Sequence, residues 1–69
     1  MLKGLAIARR KCGMSQREFG HFLGVNKMTV SRWERGQHMP RSNRLEEIAK
    51  ALNCSINFLF TGIEEGEPE

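Results

Sequence analysis

A chain of 69 residues is close to the smallest size at which one hydrophobic core supports a fold, so the sequence predicts a single small domain. Its two cysteines, Cys12 and Cys54, lie far apart within apolar helical patterns, which favours buried thiols over a secreted disulfide framework. No apolar run reaches the roughly 18 residues of a membrane span, and the N-terminus lacks the apolar core of a signal peptide. We therefore expect a soluble, cytoplasmic protein with no membrane association.

Charge is distributed unevenly along the chain. The net charge is +3, but residues 1–60 hold all eleven Lys and Arg against four Glu, and eleven minus four leaves +7. Basic side chains that neutralise phosphates release condensed counterions, so this balance favours a polyanionic partner over a basic surface that is only solvated. The acidic segment 63–69, IEEGEPE, is expected to form a flexible tail after a domain that spans residues 1–62.

Apolar periodicity predicts helices, and no segment shows the alternation of a strand. The first helix is amphipathic, covers residues 2–12 and ends at Gly13. Ser15 and Glu18 have the spacing of a capping box, which starts a second helix at a defined residue. These signals place two short helices in the first third of the chain.

A three-residue connection joins the second helix to the third. Gly24 supplies the left-handed backbone that a helix C-terminus favours, and Asn26 caps the next helix. Val30 and Trp33 then share one face at spacing i and i+3, and Gly36 ends the helix. Trp33 could instead stack on bases as in single-strand binders, but its place beside Val30 favours the core.

Two further helices complete the prediction. The fourth is capped near Ser42 or Asn43, and the fifth begins at Ser55 and ends at Gly62. The inner face of the fourth helix consists of Leu45, Ile48, Ala49 and Leu52.

The fifth helix is apolar on more than one face. Ile56, Leu59 and Phe60 share one side, whereas Phe58 points elsewhere and Ile63 follows the helix. A second surface therefore needs covering, either by the domain's own loops or by another subunit. The candidate interface residues are Phe58, Phe60 and Ile63.

Two short helices joined by a glycine-containing turn are typical of the helix-turn-helix, whose second helix can lie in the major groove of DNA. Such pairs also occur as plain packing units, so the spacing alone is a weak signal. The outward face of the third helix strengthens it, because Lys27, Met28 and Arg32 lie there. Arg prefers the two acceptors of guanine, and an apolar tip can contact the methyl group of thymine.

The stretch MSQREFGHFLGVNKMTVSRWERG resembles the lambda-repressor-like helix-turn-helix family, which includes phage repressors, Cro proteins and xenobiotic-response-element-type regulators. Further on, LEEIAKALNCSINFLFTG is similar to the closing helix pair of that family, and the resemblance covers residues 5–62. It implies an all-α fold, a five-helix bundle containing a helix-turn-helix. It also implies a transcriptional regulator, a phage or prophage repressor or Cro-type protein, that binds double-stranded operator DNA of near-palindromic sequence as a homodimer.

The resemblance assigns roles position by position. The base-reading positions are Lys27, Met28 and Arg32, flanked by Thr29 and Ser31. The phosphate-contacting positions are Gln16, Arg35, Arg41 and Arg44. Arg9 and Glu34 match a partly buried ion pair that connects the first helix to the third, and we interpret both as structural.

Three positions depart from the family pattern. Gly20 replaces the usual alanine, which permits close approach at some cost in helix stability. Phe22 occupies a position that is usually polar, and it can be either a local packing residue or a partner contact. Lys27 is not one of the amides that bind adenine bidentately, so no known operator sequence can be transferred to this chain.

Two other classes of function compete with this interpretation. An enzyme or metal site would have to use Cys12, Cys54, His21 or His38, but these lack ligand spacing such as C-x₂-C, so we predict no catalysis, cofactor or metal. A protein-interaction module, such as an antitoxin or a coactivator-like domain, is the alternative. It predicts that polar substitutions on the fifth helix abolish function while losses of charge on the third helix do not.

Overall fold

The computed structural model describes residues 2–63, and this range is helical without strands. The five helices are α1 (Leu5–Lys11), α2 (Gln16–Leu23), α3 (Lys27–Arg35), α4 (Ser42–Ala51) and α5 (Ile56–Thr61). The all-α five-helix fold with a helix-turn-helix is thereby confirmed. Within these residues, no helix is both long enough and apolar enough to cross a membrane. The predicted acidic tail lies outside the described residues, apart from Ile63.

The first helix is shorter than its apolar pattern indicated. It begins at Leu5 after the N-cap Gly4, not at residue 2. Leu2 is nevertheless buried, because the preceding turn folds it onto the core and its carbonyl oxygen accepts from Leu5 N at 3.2 Å. The expected boundary was wrong because an apolar side chain in a turn can face the same core as the helix that follows.

The predicted boundaries of α2 and α3 are confirmed. Ser15 Oγ accepts from Glu18 N at 3.0 Å and Glu18 Oε1 accepts from Ser15 N at 2.9 Å, which completes the capping box. The bond donated by Ser15 N favours the ionised carboxylate and holds the pKa of Glu18 below its ordinary value. Gly24 ends α2 with φ at 79°, and Asn26 Oδ1 accepts from Thr29 N at 3.0 Å to cap α3.

The start of α4 differs from the prediction, while both ends of α5 agree with it. The N-cap of α4 is Arg41, which makes no side-chain capping bond, and not Ser42 or Asn43. Asn43 Oδ1 instead accepts from the next backbone N–H, that of Arg44, at 2.9 Å. Because two polar residues follow each other here, the local pattern could not single out the cap.

The core lies where all five helices meet. Trp33 is 6% exposed, so the prediction that it is a core residue is confirmed. The other buried apolar residues are Leu2, Leu5, Ala8, Phe19, Val30, Ile48, Ala49, Leu52, Phe58 and Leu59. Each helix contributes to this set, so no helix has an independent core.

Two side chains differ from the prediction in their exposure to solvent. Phe58 is buried at 5% exposure together with Leu59, so Phe58 is wrong as a candidate interface residue. Phe60 and Ile63 are exposed, as an interface requires. Cys12 was expected to be buried but is exposed, at the C-cap position that follows the last residue of α1.

The backbone of Gly4 lies directly against α5. Gly4 N donates to Leu59 O at 3.0 Å. A Cβ at Gly4 would overlap the carbonyl oxygen of Phe58 and would lie 3.1 Å from the Cα of Gly62. Both obstacles are backbone atoms, which cannot rotate away, so only glycine allows α1 and α5 to approach this closely.

We expect Gly4→Ala to lower the free energy of unfolding by about 1–3 kcal/mol, since an added methyl group forces a packed contact apart. The backbone of Gly4 has φ at −89°, so alanine adds no conformational strain that would confuse the comparison. Urea unfolding measures the change. The control is Lys3→Ala at the exposed neighbour, expected within about 0.5 kcal/mol of the parent chain. Equal stability of both variants would contradict the close approach.

Candidate nucleic-acid interface

The turn between α2 and α3 is held by backbone contacts. Val25 N donates to Gly20 O at 2.8 Å, so the turn folds back onto the middle of α2. A Cβ at Gly20 would lie 2.7 Å from Val25 O and 3.3 Å from the carbonyl carbon of Asn26. The close approach expected at Gly20 is therefore made to the turn and the cap of α3. It brings the start of α3 beside the end of α2.

The residues predicted for the outer face of α3 lie together on that face. Lys27, Met28 and Arg32 are exposed, and Met28 retains 50% of its accessible surface. Val30 and Trp33 point inward, so α3 is anchored by one face while the other is left to solvent. Side chains fixed on a well-packed helix are presented in a defined arrangement, which recognition of base edges requires.

Thr29 and Ser31 border this face but are only half-exposed. Thr29 Oγ1 donates to Asn26 Oδ1 at 3.2 Å, so its hydroxyl proton takes part in capping the helix. The Thr29 side chain can then offer a partner only the lone pairs of its hydroxyl oxygen and its methyl group. The sequence could not show this second use of the residue.

The arginines expected at phosphates have different surroundings. Arg35 is exposed and its Nε donates weakly to Ser31 O at 3.4 Å, while Arg41 is exposed at the N-cap of α4. Arg44 Nη1 donates to Leu23 O at 3.2 Å and lies 3.2 Å from Glu47 Oε2. Arg44 therefore connects α4 to the end of α2, a structural contact that the sequence reasoning missed.

A buried polar network lies behind α3. Arg9 Nε donates to Glu34 Oε2 at 2.7 Å and Arg9 Nη2 to Glu34 Oε1 at 3.3 Å, with side-chain exposures of 8% and 10%. Arg9 Nη1 also donates to Met14 O at 2.8 Å, and Gln16 Nε2 donates to Glu34 Oε1 at 2.9 Å. One carboxylate thus joins α1, the start of α2 and α3. The bonds to Met14 and Gln16 were not anticipated, because no local pattern encodes them.

Phe22 projects from the outer surface of α2 with 65% of its side chain exposed. It lines a shallow concavity of about 870 Å³ together with Met14, Val25 and Lys27. Phe22 therefore lies outside the core of the domain.

The helix pair, its short turn and the outward polar face define a helix-turn-helix domain. The Helix-turn-helix family model matches residues 5–59, and the chain belongs to this family. The chain is similar to Repressor protein C2 of Salmonella phage P22, at 35% identity over 54 residues, which are 78% of this chain and 25% of that protein. It is also similar to the transcriptional regulator DicA of Escherichia coli K12, at 32% identity over 60 residues, 87% of this chain and 44% of that protein.

A solved structure shares the fold. The P22 c2 repressor, crystallised in complex with synthetic operator 9T in the presence of Tl⁺, superposes with a TM-score of 0.77 at 31% identity. The alignment covers 88% of this chain and 92% of that chain. The predicted family resemblance is confirmed. The chain spans only 25% and 44% of the two curated relatives described above, so it corresponds to one part of each.

We expect loss of the Glu34 carboxylate to destabilise the folded domain. Glu34→Ala leaves the buried guanidinium of Arg9 with only the Met14 carbonyl, and we expect the free energy of unfolding to fall by about 3 kcal/mol or more. Urea unfolding provides the measurement. Replacing both charges, in Arg9→Met with Glu34→Leu, should recover most of the loss, because apolar pairs can substitute for buried ion pairs.

The matched control is Glu47→Ala, which removes an exposed carboxylate beside Arg44. Its side chain is 56% exposed, so we expect a loss of at most about 1 kcal/mol. A Glu34→Ala variant that loses no more stability than Glu47→Ala would show that the buried network does not hold the three helices together.

Proposed function

We propose that this chain is a sequence-specific double-stranded DNA-binding transcriptional regulator, a phage or prophage repressor or Cro-type protein. The observation that carries the proposal is the outer face of α3, where Lys27, Met28 and Arg32 are exposed on a helix held from behind by Val30 and Trp33. The P22 c2 repressor, which shares this fold, was crystallised with an operator. Such a regulator meets its DNA in the cytoplasm, the compartment that the sequence predicts, and acts there by occupying the operator.

Base reading falls to the exposed positions of α3. Arg32 can donate two hydrogen bonds to O6 and N7 of guanine, and the tip of Met28 can contact a thymine methyl. Lys27 lies at the N-terminal end of α3, the end that contacts base edges in this motif, and its ammonium suits the guanine acceptors. Thr29 and Ser31 flank these contacts with small polar groups.

Phosphate contacts fix the position of α3 in the groove. Gln16 is the first residue of α2, where unpaired backbone N–H groups favour an anion, and its bond to Glu34 holds the side chain there. Arg35 and Arg41 are exposed, so their guanidinium groups can contact phosphates of the DNA backbone. Arg44 is partly committed to Leu23 and Glu47, so it contributes less than the other two.

The exposed apolar side chains at the end of α5 form a surface that a second copy of the chain could bury in a homodimer. Phe60 is 40% and Ile63 is 61% exposed, while Ile7 of α1 is 40% exposed and approaches Gly62. In a dimer formed through this surface, we expect the two α3 helices to lie in successive major grooves, about 34 Å apart, on a near-palindromic operator. Phe58, which is buried in the monomer, takes no part in this surface.

Selection from a random duplex library at about 0.15 M salt tests the DNA-binding proposal without assuming an operator. Enrichment of one sequence shows a specific reader, and an inverted repeat shows two copies bound in symmetry. Binding without enrichment would indicate that α3 contacts DNA phosphates without reading the sequence. Absence of binding would favour the protein-interaction alternative.

Binding to the selected duplex then distinguishes a base-reading arginine from a phosphate-contacting one. Arg32→Ala should weaken binding by about 1–3 kcal/mol and relax the preference at one base pair, because a base contact is lost. Arg35→Ala should weaken the selected and a random duplex alike and lower the salt slope by about 1, because a phosphate contact is lost. Equal losses on both duplexes for Arg32→Ala would refute its role in base reading.

The dimer surface can be tested with two substitutions of equally exposed apolar residues. Ile63→Ser should lower affinity for the full inverted repeat by about tenfold or more, because the second copy no longer binds cooperatively, while half-site affinity is unchanged. Phe22→Ser is the matched control, since Phe22 is 65% exposed on a different helix. Band shifts and sedimentation provide the readouts. A loss with Phe22→Ser but not Ile63→Ser would move the interface to α2.

A further inference from the structure

Two free thiols lie at neighbouring points of the fold, Cys12 at the end of α1 and Cys54 in the turn between α4 and α5. Cys12 Sγ lies 3.6 Å from the carbonyl oxygen of Leu52, only two residues before Cys54. Two residues span at most about 7 Å even when extended. This turn is tighter, because Asn53 has φ at 55° and Cys54 N donates to Ala49 O at 2.9 Å. The thiol of Cys12 therefore lies beside the turn that carries Cys54.

The electrostatics agree with this placement. Burial raises the pKa of the Cys54 thiol, and the neighbouring Cys12 raises it further, because two thiolates at close range repel each other. Both thiols are also accessible to a small oxidant. Cys12 is exposed, and Cys54 is half-buried on the wall of a surface cavity of about 260 Å³ that Lys11 and Phe58 also line.

We propose that Cys12 and Cys54 form a reversible intramolecular disulfide, a redox-controlled link between the end of α1 and the α4–α5 turn. The oxidant is a small disulfide such as oxidised glutathione. The Cys12 thiolate, as the more exposed, attacks one sulfur and releases one glutathione thiolate. The Cys54 thiolate then attacks Cys12 Sγ and releases the second. Each cysteine gives up its thiol proton, and the two electrons reduce the glutathione pair.

The link closes a loop that contains α2, α3 and α4, so it restricts the unfolded chain far more than the folded one. The outer face of α3 takes no part in it. We therefore expect oxidation to stabilise the domain without blocking α3. This inference does not depend on the proposed function, since it concerns thiols and stability alone.

Intact mass spectrometry of the full chain in a graded series of reduced and oxidised glutathione provides the test. After free thiols are alkylated, the monomer should lose two hydrogens and accept no alkyl group. A reductant should reverse the change. The thermal midpoint of the oxidised monomer should rise by about 5 °C or more over the reduced protein.

The matched controls are Cys12→Ser and Cys54→Ser, neither of which can form the link. In each, oxidised glutathione should leave a monomer with at most one glutathione adduct and with no rise in the thermal midpoint. The proposal is overturned if the parent chain instead accumulates glutathione adducts on both thiols, or forms only disulfide-linked dimers, at every ratio. It is also overturned if the internal link forms but lowers the thermal midpoint.

Discussion

The bond between Arg9 and Glu34 is the interaction on which the arrangement of the first three helices depends. Burying both charges is costly, and the cost is offset because the carboxylate and the guanidinium are both well supplied with partners. Met14 and Gln16 provide those additional partners, and they lie in the segment that leads into α2. The same network therefore holds α1 against α3 and orients the first side chain of α2.

The helices are too short to be stable alone, so their placement comes from contacts between them. α5 has only six residues, and it is held by its buried side chains Phe58 and Leu59 and by the backbone bond from Gly4 to Leu59. The helix-turn-helix is set in the same way, because Gly20 lets the turn lie against α2. At both places the absence of a side chain allows two backbones to meet. This allows a small domain to enclose a core without a disulfide.

The outer face of α3 could be predicted from the sequence because helix faces follow from residue spacing. Residue spacing puts Lys27, Met28 and Arg32 on a face with no core to fill, and the structure leaves all three exposed. The uses of Thr29 in capping and of Arg44 in joining α4 to α2 were missed. A side chain can make such bonds only when a particular partner is nearby, and the spacing of residues does not encode that partner.

The sequence by itself determined where most helices begin and end, through capping residues such as Ser15 and Asn26 that bond within three residues along the chain. It also determined which residues of α3 face outward. Only the tertiary structure decided that Phe58 is buried while Phe60 is exposed, and that Cys12 is exposed beside the α4–α5 turn. The physical reason is that a helix of less than two turns with several apolar faces can bury any of them. The neighbouring elements, positioned by long-range contacts, determine which face is covered.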